Sequence, residues 1–222
     1  VLEAAQRVGG RAWTDHQTFS APVDRGCAWL HQADRNPFTP LAQAYGYTLA
    51  AHDDVPWLLH TQGQPLPQAG QDAAFAALAA LEARIDQHTG ADQPLSALCD
   101  PHHWAEQWAG ETLGPLDAGA ESRQLSVRGL QQHGLTRPNW LVREGFGAVL
   151  ARFGAGVPVA LGQQVREIDT RGPRIRVQTS GGTVEAQHCI VTVSTGVLRA
   201  ESILFLPALP LAKLQALDAL PM

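Results

Sequence analysis

Between Gln71 and His88 the apolar residues Phe75, Leu78, Leu81 and Ile85 recur at helical spacing, alanines fill the gaps and Gly90 follows. That pattern predicts a long amphipathic helix with a glycine just past its end. Pro101 to Leu113 predicts a second helix with Trp104 and Trp108 on one face, and Pro37 to Tyr47 a short one capped by Asn36. Trp57-Leu58-Leu59-His60 and Pro65-Leu66 flank a turn at Gly63 and read as a small hairpin. Residues 12–30 read as short extended pieces alternating with turns, and 117–139 as loop and helix without clear boundaries.

After Trp140 the pattern changes. Phe146 to Phe153 predicts a helix closed by Gly154, and Val157–Leu161, Gln164–Asp169 and Arg174–Thr179 predict strands, followed by a turn at Gly181-Gly182. Cys189-Ile190-Val191-Thr192-Val193 is an unbroken, mostly β-branched apolar run, expected as a strand covered on both faces. Val1-Leu2-Glu3 reads as the end of another strand. The layout is therefore α/β at both ends with a helical insertion between. The expected boundaries are 1–55, 56–139, 140–201 and 202–222.

Composition narrows the possibilities only a little. The 222 residues are 45% hydrophobic and 17% charged, as in a globular enzyme, and no apolar run approaches the ~20 residues of a membrane span. A net charge of −5 without a basic cluster offers nucleic acid no electrostatic footprint. The three cysteines, Cys27, Cys99 and Cys189, lie far apart, so no disulfide framework is expected, and Cys27 is expected as a small buried side chain. A first residue of Val1 and a single methionine, Met222, at the end suggest an internal piece of a longer polypeptide. The compartment expected is the cytoplasm.

Chemistry concentrates near the start. Glu3 closes an apolar strand, the position at which an acid accepts hydrogen bonds from ribose hydroxyls in dinucleotide-binding units. Arg7-Val8-Gly9-Gly10-Arg11 sets two guanidinium groups around a glycine pair, a pattern suited equally to a pyrophosphate site or to a solvated surface turn. His102, His103 and Glu106 could share one helical turn, but no further ligands support a metal site, and none is expected.

Leu2-Glu3-Ala4 followed by Arg7-x-Gly9-Gly10-Arg11 resembles the motif of the FAD-dependent flavin amine oxidases, a family that includes monoamine and polyamine oxidases. Ala5 departs from the arginine common there. Asp24-Arg25-Gly26-Cys27-Ala28-Trp29-Leu30-His31, with Asn36-Pro37-Phe38, resembles the family's second flavin segment, in bacterial amine oxidases particularly. Trp140 to Gly147 with Val165 to Ile168 is similar to its third, and Ile190 to Leu198 to the strand and turn beside the adenosine, with Ser194 replacing a common proline.

The resemblance implies an incomplete Rossmann-like FAD-binding domain with a mainly helical substrate-domain insertion. It implies FAD as cofactor, with Glu3, Ala4, Gly10, Arg11, Gly26, Ala28, Trp29, Val165 and Thr192 as its contacts. His31 faces either the flavin and substrate or a hydrogen bond within its own loop. The implied partners are a small amine and dioxygen, with an imine and then hydrogen peroxide as products; no catalytic residue is assigned. Lys213, the only lysine, reads as a helix-surface residue. Two rivals remain open: a desaturase-type FAD oxidoreductase, and a non-catalytic flavin-binding remnant.

Overall fold

The helical period around Phe75–Ile85 becomes a 19-residue helix, Gln68–Asp86, whose buried residues Gln71, Ala74, Ala77, Leu81 and Ile85 form one stripe. It starts earlier than expected because Pro67 supplies a stop in extended backbone at its N-cap. The computed structural model describes residues 1–53, 57–134 and 137–220. The chain divides into two compact units, one of Val1–Asp53 with Arg137–Leu220, the other including Asp54–Thr136.

The second unit is helical. The hairpin His60–Thr61 with Gln64–Pro65 turns through Gln62 and Gly63, both at positive φ. Gln71 ties it to the long helix, accepting from the Leu59 N–H and donating to the Leu66 carbonyl. Ala77, Leu81, Ile85, Leu95, Ala105, Ala109 and Val127 make the core. The second helix is shorter than expected, Trp104–Glu111, and runs on as a π-helical stretch, Thr112–Ala118, containing Pro115, which has no N–H to give an α-helical ladder. The expected tryptophan pair does not form: Trp108 meets Phe75 edge-on at 5.7 Å, while Trp104 is exposed. Helix Val127–His133 lies in the region whose boundaries the pattern left open. His103 accepts the Glu106 N–H at the N-cap and Glu106 pairs with Arg84 at 3.1 Å, so both have structural partners. Among the described residues no helix is long and apolar enough to cross a membrane.

The first unit is mixed α/β. A three-stranded antiparallel sheet sets Trp140–Val142 between Trp29–Leu30 and Leu49–Ala51. Helices Phe38–Ala44 and Phe146–Gly154 supply Ala42, Phe146 and Val149 to a core with Leu30, Ala33 and Val142. A four-stranded sheet runs Gly182–Ala186, Ile175–Thr179, Val165–Asp169, Leu204–Leu206, the last pair parallel. Its hairpin turns at Ser180-Gly181, and Gly182 already pairs with Thr179. Lys213 is exposed on helix Leu211–Asp218.

Two expected strands are absent there. In 157–161 only Ala160 pairs, as a single parallel bridge to Leu2, because Pro158 interrupts the row of donors. Cys189–Val193 pairs with no strand among the described residues and is exposed throughout, Ile190 at 88%. The place beside Val165–Asp169 is taken by Leu204–Leu206 instead. The composition of the run reports a preference for burial, which needs a neighbouring backbone to be realised.

Candidate functional site

Thr14–Asp15 and Val23–Asp24 pair antiparallel, Thr14 opposite Asp24. The ribbon continues outward, the Arg25 N–H donating to the Trp13 carbonyl at 2.8 Å and the Cys27 N–H to the Arg11 carbonyl at 3.2 Å. A Cβ on Gly26 would stand 1.7 Å from the Arg11 carbonyl oxygen, so only glycine permits this approach. Residues 7–14 and 24–31, read separately in the sequence, thus meet along one ribbon. Cys27 is exposed rather than buried, because its backbone and not its side chain makes the close approach; partial burial and the nearby Asp24 carboxylate still push its thiol pKa up.

Asp24 anchors this ribbon to the helix that starts at Phe146. Its carboxylate accepts the N–H groups of Phe146 at 2.8 Å and Gly147 at 3.1 Å and the Thr14 hydroxyl, whose oxygen accepts the Ala148 N–H at 3.0 Å. The first-turn N–H groups of Phe146 and Gly147 are satisfied by the carboxylate, the Ala148 N–H is shared between the Thr14 hydroxyl and the Gly145 carbonyl at 3.2 Å, and a negative charge sits at the favourable end of the helix. A Cβ on Gly147 would lie 2.4 Å from the Thr14 nitrogen, so glycine lets the helix reach the ribbon. Asp15 accepts the Thr18 hydroxyl and the Gln17 and Thr18 N–H groups and pairs with Arg25 at 3.3 Å. These partners, the Thr18 hydroxyl foremost, hold its carboxyl at about 2.

At one end of the three-stranded sheet stands a polar chain. Asp53 accepts the Asn139 backbone N–H at 2.8 Å and side-chain NH2 at 3.0 Å, and Asn139 Oδ1 lies 2.7 Å from His31 Nδ1. A carboxylate only accepts, so it fixes the Asn139 amide with its oxygen toward His31. In the neutral ring the proton is then on Nδ1, with Nε2 as the acceptor. Asn36 Nδ2 donates to the His31 carbonyl at 2.9 Å. The ring stacks with Trp29 at 6.2 Å, and His52 meets Trp29 edge-on at 4.4 Å. His31 therefore has its hydrogen bond within the fold and also remains exposed. Neither Asp53 nor Asn139 carries a signal in the sequence; Asp24 stood in a motif without an assigned role.

The other expected site residues divide into two groups. Glu3 pairs through its backbone with Ala160 and Gln163, two residues before Val165, and Leu2 and Val165 pack against one core with Ile168, Val177 and Ile203. One Glu3 oxygen accepts the Ala5 N–H at 2.7 Å. Ala4, Gly10, Arg11 and Gly26 are exposed, Ala28 and Trp29 partly buried. Thr192 is exposed in the unpaired run, brought to none of them by strand pairing.

An FAD fits this donor set. Glu3 keeps a second carboxylate oxygen for a ribose hydroxyl, the space around Gly10 is open at φ +54°, and the exposed Arg11 guanidinium enters none of the bonds described above.

The chain matches the family model described as flavin containing amine oxidoreductase over residues 1–108 and 49–222. It is 28% identical to polyamine oxidase 4 of Oryza sativa subsp. japonica over 98% of this chain and 50% of that protein. It is 25% identical to human lysine-specific histone demethylase 2, over 99% of this chain and 30% of that one. Cyclohexylamine oxidase from Brevibacterium oxydans shares the fold with a TM-score of 0.67 at 19% identity, over 98% of this chain and 57% of that structure. The chain spans about half the length of the polyamine oxidases it matches. With family matches that run from its first residue to its last, the chain belongs to the flavin-containing amine oxidoreductase family.

Proposed function

We propose that the protein of which this chain forms part, or the whole, is an FAD-dependent amine oxidase. The observation that carries the reading is the single ribbon joining residues 7–14 to 24–31, the two segments in which the family resemblance puts the flavin contacts. Glu3 would accept a ribose hydroxyl, Arg11 would meet the pyrophosphate, and backbone at Gly10, Gly26, Ala28 and Val165 would lie along the cofactor. Bound FAD would supply the acceptor for a hydride equivalent from the carbon next to the amine nitrogen, with dioxygen as final acceptor and hydrogen peroxide as product. His31, its proton held on Nδ1 by Asn139 and Asp53, would accept a hydrogen bond from the substrate amine at Nε2. Residues 56–139 would face substrate as a helical insertion, with 202–222 returning to that domain. The names of the polyamine oxidase relatives make an aliphatic polyamine the first substrate to try.

The test is to load the protein with FAD and add a panel of amines in air and under anaerobic conditions. Anaerobic bleaching of the flavin and aerobic release of peroxide are expected. A flavin that stays oxidised with every amine would reject amine oxidation and favour a binding module. Reduction by an apolar polyene instead would favour the desaturase type.

A further inference from the structure

Trp13 carries two guanidinium groups. Arg7 Cζ lies 4.9 Å from the indole centroid and Arg25 Cζ 5.2 Å. Register explains the second contact: Thr14 faces Asp24, so Trp13 faces Arg25 across the ribbon on the same side of the sheet. From there Arg25 reaches diagonally to Asp15, and the Asp15 carboxylate is itself fixed by Thr18 and Gln17. Arg7 arrives from the glycine loop and donates to the neighbouring Val8 carbonyl at 3.3 Å. Arg11, between them in sequence, gives its carbonyl to Cys27, while its exposed side chain takes part in none of these contacts.

Three arginines within one short ribbon would repel one another if all pointed at the same place. An indole face attracts a cation, and for Arg25 the Asp15 carboxylate at 3.3 Å adds an ion pair to that hold. We infer that Trp13 is a positioning residue: it holds Arg7 and Arg25 on the loop itself and leaves Arg11 as the guanidinium presented to an anionic ligand. The ligand class is a diphosphate ester, and that half of the inference rests on the flavin reading; the holding of the two arginines does not. The consequence is a division of labour. Arg7 and Arg25 keep the Arg11 carbonyl and the Gly26 backbone in contact, and Arg11 makes the anion contact.

The experiment uses the full chain and two readouts that do not need turnover: amide hydrogen exchange at Arg25 and Cys27, and calorimetric titration with inorganic pyrophosphate. Trp13→Leu and Arg25→Met should speed exchange at both amides about tenfold, and Trp13→Phe, which keeps a ring, should restore most of the protection. Arg11→Met should leave exchange unchanged and abolish pyrophosphate binding. The inference is overturned if Trp13→Leu leaves exchange as in the wild type. It is equally overturned if Arg7→Met or Arg25→Met removes pyrophosphate binding as completely as Arg11→Met without altering exchange, since both would then be direct ligands. A wild-type chain that binds neither pyrophosphate nor FAD would sink the flavin reading, while the exchange pattern would still decide the role of Trp13.

Discussion

The Asp24 carboxylate accepts the Phe146 backbone N–H at 2.8 Å across 122 residues of chain. One side chain thereby joins the glycine-rich ribbon to the helix after the central sheet strand. Asp24→Ala leaves the Phe146 and Gly147 N–H groups and the Thr14 hydroxyl without this acceptor. The expected cost is about 1–3 kcal/mol, the range for losing an N-cap with a partly buried charged acceptor. Urea unfolding followed by circular dichroism measures it, and an unchanged midpoint would show that the cap is dispensable.

That long-range bond also shows what local sequence cannot reveal. Helix Gln68–Asp86 was readable because one stripe repeats within a single element, and the Gly63 hairpin because its turn residues are adjacent. Asp24–Phe146 and Asp53–Asn139–His31 join segments separated by 122, 86 and 108 residues, and no short-range pattern records such pairings. Cys189–Val193 failed for the opposite reason. Its β-branched residues gave a strong local signal, but strand formation depends on a partner outside the run.

Acid should weaken the first unit through Asp15. Its folded pKa, about 2, lies below the ordinary aspartate value of 3.8, so its stabilisation is present above pH ~4 and is lost as the pH falls toward 2. Asp169, held at about 2 by Arg171, acts in the same direction over the same window. Stability measured from pH 5 to 2 should fall, and Asp15→Asn should flatten part of that slope. An identical slope in the variant would remove Asp15 from the account.

Leu81 is fully buried in the core of the helical unit, against helix Trp104–Glu111 and Val127. Leu81→Ala should destabilise by about 2–5 kcal/mol, the span set by how far the cavity collapses. The loss should appear as early proteolysis within residues 57–134, with residues 1–53 staying resistant. Simultaneous loss in both would contradict the division into two units.

Glu3→Ala should weaken FAD binding by roughly 1–3 kcal/mol if its carboxylate meets a ribose hydroxyl, the usual range for a hydrogen bond to a charged group. Because one of its oxygens also accepts the Ala5 N–H, affinity alone does not separate the two roles in this variant. Glu3→Gln keeps an acceptor for Ala5 and removes only the charge, so it separates the two roles. Equal FAD affinity in Glu3→Gln and wild type would place the effect in loop structure rather than in a charged contact.

The exposed run at Cys189–Val193 leads to a prediction about the 222-residue chain by itself. Ile190 is 88% exposed, Val191 40% and Val193 38%, and the run pairs with no described strand. An unpaired apolar segment of high β-propensity is a template for another chain. The purified chain should therefore associate as its concentration rises, and Ile190→Lys should reduce that association by placing a charge in the segment. The same run holds Thr192, a flavin contact that the family resemblance implies, outside the sheets formed by the described residues. The chain also spans only about half of the polyamine oxidases it matches. Substoichiometric flavin is expected for the chain by itself. Size-exclusion chromatography over a concentration series, with visible absorbance of each peak, tests both halves together. A monomeric yellow peak carrying one FAD per chain would show that this segment is not needed to hold the cofactor.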